Sequence, residues 1–244
     1  MHLDRRQQRH QRQQRQPSDA LALAAILLIS LAGNARGQTS ADLTFVSEYA
    51  GRGIALDTRP TPQLRVEHDT DAGWYAGAFA SPVRIEGRAQ GQLIAYGGRA
   101  QRLSSTLSWD AGITRSTFLR DGRWNYHELY AGLAVQRASA RLFYSPAYYG
   151  EGRSLYLDLS GAYPLTDTLR LAAHVGLLHP MGGYESVAEG DAGTGSGNGA
   201  DARIALVADV GDFTVQAGVQ TRWRGYLSEF PRARAFTASI GLHF

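Results

Sequence analysis

Residues 103–113 read Leu-Ser-Ser-Thr-Leu-Ser-Trp-Asp-Ala-Gly-Ile, and this stretch decides the fold class. Leu103, Ser105, Leu107, Trp109, Ala111 and Ile113 share one parity, while Ser104, Thr106, Ser108, Asp110 and Gly112 share the other. A period of two places successive side chains on opposite faces, as in a half-buried strand and unlike a helix. The same alternation recurs in 213–223, where Phe213, Val215, Ala217, Val219 and Trp223 oppose Thr214, Gln216, Gly218, Gln220 and Arg222. It recurs again at Leu155, Leu157 and Leu159, and at Leu169, Leu171, Ala173, Val175 and Leu177.

Working outward, the pattern predicts twelve strands at about 41–51, 62–69, 73–81, 91–100, 103–115, 124–136, 139–146, 154–163, 168–179, 201–210, 212–224 and 233–244. The connections alternate in length. Thr70–Ala72, Gln101–Arg102, Arg137–Ala138, Pro164–Asp167 and Gly211 read as tight turns, whereas 52–61, 82–90, 116–123, 147–153, 180–200 and 225–232 read as longer loops. Short turns on one side and long loops on the other are the asymmetry of an outer-membrane barrel, and an even strand number places both termini on the periplasmic side. The expected fold is therefore all-β, a single antiparallel transmembrane β-barrel of about 12 strands over residues 38–244. In hydrocarbon every backbone amide and carbonyl needs a partner, so strands cross only as a closed sheet. A secreted β-sandwich also alternates, but it needs a dry inner face.

The chain end agrees with closure. Phe236, Ala238, Ile240, Leu242 and Phe244 form an apolar parity ending on a terminal phenylalanine. A strand of this kind closes bacterial outer-membrane barrels and is read by the barrel-assembly machinery.

With apolar residues outward, the inner parity carries Glu48, Arg65, Glu67, Asp110, Glu128, Arg141, Asp158, Arg170, Arg203, Asp209, Arg222 and Arg224, accompanied by Tyr126, Tyr130, Tyr156 and His174. Buried charges must pair or stand in water. They therefore line a narrow polar channel, or form a salt-bridged plug that fills the lumen. Twelve strands lie between the eight that leave room only for side chains and the sixteen that leave an aqueous pore. Phe45, Tyr49, Trp74, Trp109, Tyr144, Phe213 and Trp223 are expected in the interfacial girdles of the outer face.

Composition narrows the alternatives. The 244 residues include no cysteine, which excludes disulfides and thiolate metal sites. No stretch approaches the roughly 20 apolar residues of a membrane-spanning helix. Residues 1–37 differ from the remainder: five arginines precede Ala20–Ala32, an apolar run interrupted only by Ser30, with small residues then placed for cleavage after Ala35 or Gly37. This is the layout of a secretory signal peptide. Without it the chain carries 19 arginines, no lysine and 20 acids, so its charge balance gives no support for a nucleic-acid partner.

Several segments resemble the TorF-type porin family of proteobacterial outer-membrane proteins. Residues 47–81, SEYAGRGIALDTRPTPQLRVEHDTDAGWYAGAFAS, are similar to that family's opening through Ser47, Tyr49, Arg52, Gly53, Ile54 and the run Gly73, Trp74, Tyr75, Ala76 and Gly77. ELYAGL (128–133), YSPAYYG (144–150) and LSGAYPL (159–165) continue the likeness. Glu48 stands where the family usually has Asp, and the fifth long loop carries a glycine-rich insertion. The resemblance implies a barrel with a porin-like role, and it brings no catalytic or ligand residues.

GDAGTGSGNG (190–199) lacks the Gly-Lys-Ser/Thr of a phosphate loop and the acid spacing of a calcium loop, which leaves a surface loop. No cofactor or metal site is expected. His174 and Asp158 could form a base with its orienting acid, with Ser160 or Ser108 as nucleophile. Three functions follow: a passive pore for small hydrophilic solutes, a closed barrel binding partners through residues 180–200, or an enzyme whose lipid turnover depends on His174 or His127. The first is the expected one. The expected partners are outer-membrane lipid, the assembly machinery and the solutes.

Overall fold

A computed structural model describes residues 37–181, 198–223 and 236–244. The segment 1–36, most of the 180–200 loop and Arg224 lie outside the described residues.

The strands are β1 (Gly37–Val46), β2 (Tyr49–Gly51), β3 (Ile54–Asp57), β4 (Thr61–Thr70), β5 (Trp74–Ile85), β6 (Arg88–Arg102), β7 (Leu107–Phe118), β8 (Tyr126–Val135), β9 (Ala138–Ser145), β10 (Ser154–Pro164), β11 (Leu169–Pro180), β12 (Gly199–Val210), β13 (Phe213–Trp223) and β14 (Phe236–His243). Twelve of them form one closed antiparallel barrel in the order β1-β14-β13-β12-β11-β10-β9-β8-β7-β6-β5-β4, while β2 and β3 pair only with each other. Closure is made by β14, which runs beside β13 and pairs with β1 from Asp42↔His243 to Val46↔Ser239.

The outer face is apolar. Phe45, Trp74, Leu133, Ile204, Phe213, Trp223 and Ile240 are all exposed there. Side chains of the other parity turn inward, as the twofold repeat requires.

Four predicted features are corrected. The first predicted strand ends at Val46; the chain bends at Ser47–Glu48, and residues 49–57 become a hairpin inside the barrel rather than strand plus outer loop. Tyr49, expected on the outer face, is therefore internal: its hydroxyl donates to Gln92 Oε1 at 3.0 Å and its ring packs on Phe79. The predicted loop at 82–90 is a two-residue turn, Glu86–Gly87, with φ of 49° and 73°. Such left-handed pairs match the twist of two-residue hairpins, and they let β5 and β6 run on past Pro82. The strict short–long alternation thus fails at this connection. Finally, the β6–β7 turn is at 103–106, not at Gln101–Arg102, and the alternation becomes strand only from Leu107. Leu103 sits in that turn, its amide donating to Leu107 O at 2.9 Å.

The barrel also contains a dry core, which the polar-channel expectation omitted. Ile54 and Leu56 of β3 pack with Val83, Ile85, Phe118, Trp124, Tyr126, Tyr148, Tyr149, Tyr156 and Leu178. These residues come from the strand ends and connections opposite the short turns. That end of the bore is therefore filled by aromatic and aliphatic side chains.

Candidate functional site: the lumen and its inner hairpin

The inner hairpin is built around its turn. Gly51 pairs with Ile54, so Arg52 and Gly53 are the two turn residues, with φ of 51° and 72°. A non-glycine residue in the left-handed region costs about 1–2 kcal/mol, and the contacts of Arg52 offset that cost. Its guanidinium lies 2.9 Å from Glu128 of β8 and stacks over Tyr156 at 4.1 Å, Tyr148 at 5.0 Å and Phe143 at 5.2 Å. Such stacking is favourable because the ring faces are electronegative. Gly53 meets the opposite wall: a Cβ there would come within 2.8 Å of Arg222 Cβ and 2.9 Å of Asp201 Cβ. The turn thus bridges the bore from β8 to β12 and β13. Glu48, buried at the hairpin's base, accepts from Gln220 Nε2 at 3.3 Å.

The returning strand is fastened by Asp57. This buried carboxylate accepts from the Arg59 backbone N–H at 3.1 Å and from its Nε and Nη2 at 3.0 and 2.9 Å. Burial alone would raise the carboxyl's pKa, but the Arg59 hydrogen bonds hold it below the usual carboxylate range. Folding therefore favours the ionised form. That stabilisation is complete above the unfolded carboxyl's pKa, about 3.9, and is lost as pH falls through the lower native value. Acidification into that range is expected to loosen the hairpin. Fluorescence of Trp124, in the adjoining core, should report the change, and Asp57→Asn should show it already at neutral pH.

The hairpin separates two polar cavities. The larger, about 780 Å³, is lined by Arg65, Glu67, Asp110, Glu128, Arg141 and Asp158 of the predicted inner set, together with Asp69, Tyr75 and Tyr96. Arg141 pairs with Asp110 at 2.7 Å, and Tyr75 bridges Tyr130 at 2.6 Å and Asp110 at 3.3 Å. Tyr96 donates to Glu67 at 2.6 Å. The smaller cavity, about 260 Å³, is bordered by Arg52, Asp158, His174, Asp201 and Arg203. Arg170 and Asp209 pair directly, with Thr214 donating to the same carboxylate at 2.8 Å. Charge of both signs therefore faces the lumen, much of it already paired.

Beside the smaller cavity, β10, β11 and β12 are cross-linked. His174 Nε2 lies 3.0 Å from Asp201 Oδ1, and Tyr156 donates to Asp201 Oδ2 at 3.1 Å. His174 Nδ1 is 3.2 Å from Ser160 Oγ and 3.4 Å from Asp158 Oδ1. The structure thus gathers the His174, Asp158 and Ser160 group considered from sequence, but it leaves out Ser108, whose hydroxyl faces Ala134 O at 3.5 Å. Ser160 donates to Asp158 at 2.7 Å, so its proton points to a carboxylate and not to the imidazole. Both imidazole nitrogens are engaged as well. The group is built as a tie between strands.

Sequence reasoning missed Arg52, Asp69, Tyr75, Tyr96 and Asp201. Asp201 shares parity with Arg203 and was legible. Tyr75 and Tyr96 were hidden by aromatics on both parities, yet each lies across an inner glycine. A Cβ on Gly98 would fall 2.6 Å from Tyr75 Oη, and one on Gly77 would fall 2.5 Å from Tyr96 Oη. Arg52 carried no strand signal at all.

The fold and this lumen define a closed twelve-stranded antiparallel barrel with a polar, hairpin-divided interior. By its sequence over residues 32–222, the chain belongs to the Gcw_chp family, bacterial proteins of unknown function. No curated protein matches it. Among solved structures it resembles the KdgM porin, with a TM-score of 0.54 and 11% identity over 84% of this chain and 98% of that one. The NanC porin is similar at 0.54 and 12%, over 85% and 99%. The KdgM porin in complex with disordered oligogalacturonate gives 0.53 and 11%, over 84% and 98%. At these identities the likeness is one of fold.

Proposed function

We propose that the protein is an outer-membrane pore for the passive diffusion of small hydrophilic solutes, narrowed by its own inner hairpin. The observation that carries this reading is the contrast between an apolar outer wall and a charged cavity of about 780 Å³ enclosed by the same strands. A closed sheet satisfies its backbone in lipid, and the lumen charges set which solutes pass. The porin fold of KdgM and NanC supports the same reading, and no chemical conversion is assigned to the lumen. In this account residues 1–37 are a signal peptide removed on export and residues 38–244 are the barrel. The long-loop end faces outward, and the strand bearing Phe236, Ile240, Leu242 and Phe244 is the segment offered to the assembly machinery.

The dry core at the long-loop end favours a second reading, a closed barrel that acts through its outer connections. Conductance of the refolded protein in planar bilayers separates the two. A pore gives discrete steps whose size depends on the hairpin. A barrel that stays silent both with the hairpin and with residues 48–59 replaced by a short Gly-Ser linker would overturn the pore.

A further inference from the structure

On the lipid-facing parity, charge is rare, and one place gathers two basic groups. Arg115 of β7 and His127 of β8 are direct cross-strand partners, both exposed on the outer wall. Among the described residues neither has an acidic side chain within ion-pair distance. His127 is the second residue of β8, so the pair stands at the long-loop rim of the wall. Directly beneath it run three apolar cross-strand pairs, Ile113↔Leu129, Ala111↔Ala131 and Trp109↔Leu133. Tyr144 adjoins Leu129 from β9.

The spacing of this column fits one molecule. Six residues along a strand span about 20 Å, or about 15 Å of depth at a barrel's tilt, close to half the hydrocarbon thickness. The small Ala111–Ala131 pair lies between the larger pairs Ile113–Leu129 and Trp109–Leu133. An arginine beside a histidine above an apolar column matches a lipid with an anionic head. A guanidinium and an imidazole side by side suit the several acceptor oxygens of a phosphate monoester.

We propose that Arg115 and His127 bind a phosphate of the glycolipid that forms the outer leaflet, with an acyl chain lying along the apolar column from Ile113–Leu129 to Trp109–Leu133. The proposal rests on the membrane reading above and on the outward orientation of the long-loop end. Binding at this rim also holds the barrel at a fixed depth, since the phosphate cannot follow the acyl chain into hydrocarbon.

The test uses the full barrel refolded in detergent and native mass spectrometry with bis-phosphorylated lipid A, its dephosphorylated form and phosphatidylglycerol. The wild type should retain one phosphorylated lipid A, and the double variant Arg115→Gln, His127→Gln should retain it about tenfold more weakly. Dephosphorylated lipid A and phosphatidylglycerol should bind the wild type no better than phosphorylated lipid A binds the variant. Equal retention by wild type and variant, or equal retention of the three lipids, would overturn the site. Both residues face away from the lumen, so the variant's conductance should match the wild type's. Unchanged conductance with unchanged lipid binding sinks this site alone, whereas a barrel silent both with and without its hairpin sinks the pore.

Discussion

Arg52→Ala should cost the barrel about 3–5 kcal/mol of stability, because it strands Glu128 as a buried, unpaired carboxylate. The side chains of Arg52 and Glu128 are only 15% and 6% exposed, so solvent can replace little of the lost pairing. The same change removes the cation stacked on Phe143, Tyr148 and Tyr156, and with it the hold of β8 to β10 on the hairpin turn. Two readouts follow. Urea titration in micelles gives the stability loss, and single-channel conductance should rise severalfold as the bridge across the bore loosens. Arg52→Lys keeps a charge but loses the planar stack, so it should fall between. Arg52→Gly relieves the left-handed backbone, so it should recover a part of the stability without restoring the latch. If Arg52→Ala unfolds at the wild-type urea concentration and conducts identically, the turn is not a latch.

Removing residues 236–244 should have the larger effect still: no folded barrel at all. β14 shares five register pairs with β1 and seven with β13, so its loss opens two sheet edges at once. On the membrane reading, each unpaired amide or carbonyl would face hydrocarbon at a cost of several kcal/mol. The total exceeds the 5–15 kcal/mol that holds a typical protein folded. The measurement is the heat-dependent shift of the folded band on a denaturing gel after refolding into micelles. Phe244→Ala is the informative companion. Phe244 is 70% exposed, while its backbone amide donates to Ala41 O at 2.9 Å and its carbonyl accepts from Ala41 N at 3.2 Å. That variant should refold normally in vitro. Poor yield in the outer membrane with normal refolding would then assign the ring to recognition during assembly.

The barrel was legible because alternation is a local property that an apolar outer wall and a polar bore both enforce. Leu107 to Ile113, Phe213 to Trp223 and Leu155 to Leu159 each announce their own face. The inner charges followed from parity, and Arg65, Glu67, Asp110 and Arg141 do meet in one cavity. The hairpin was not legible, because nothing in residues 47–60 says whether a connection folds outward or back into the bore. That choice is made by Glu128 and the rings of Tyr148 and Tyr156, which lie far along the chain. The Glu86–Gly87 turn was missed for a different reason. Glutamate is an unusual occupant of a left-handed turn position, and Pro82 within β5 reads as a strand breaker. Arg84 Nη1, which bonds Gly87 O at 2.7 Å, supplies the local support that composition does not advertise.

That same hairpin has an exposed apex on a stem whose Val83 and Ile85 are anchored in the dry core. The rungs from Val83↔Gln90 to Ile85↔Arg88 continue beyond Gln92↔Phe118, the last rung β6 shares with β7. At the apex, a methyl group added to Gly87 would touch nothing within 4 Å. A short epitope spliced between Glu86 and Gly87 would give up the Glu86–Arg123 ion pair at 2.7 Å, while the rungs from Val83↔Gln90 to Ile85↔Arg88 keep the stem paired. Antibody labelling of intact cells at that epitope reads out directly which compartment the apex occupies.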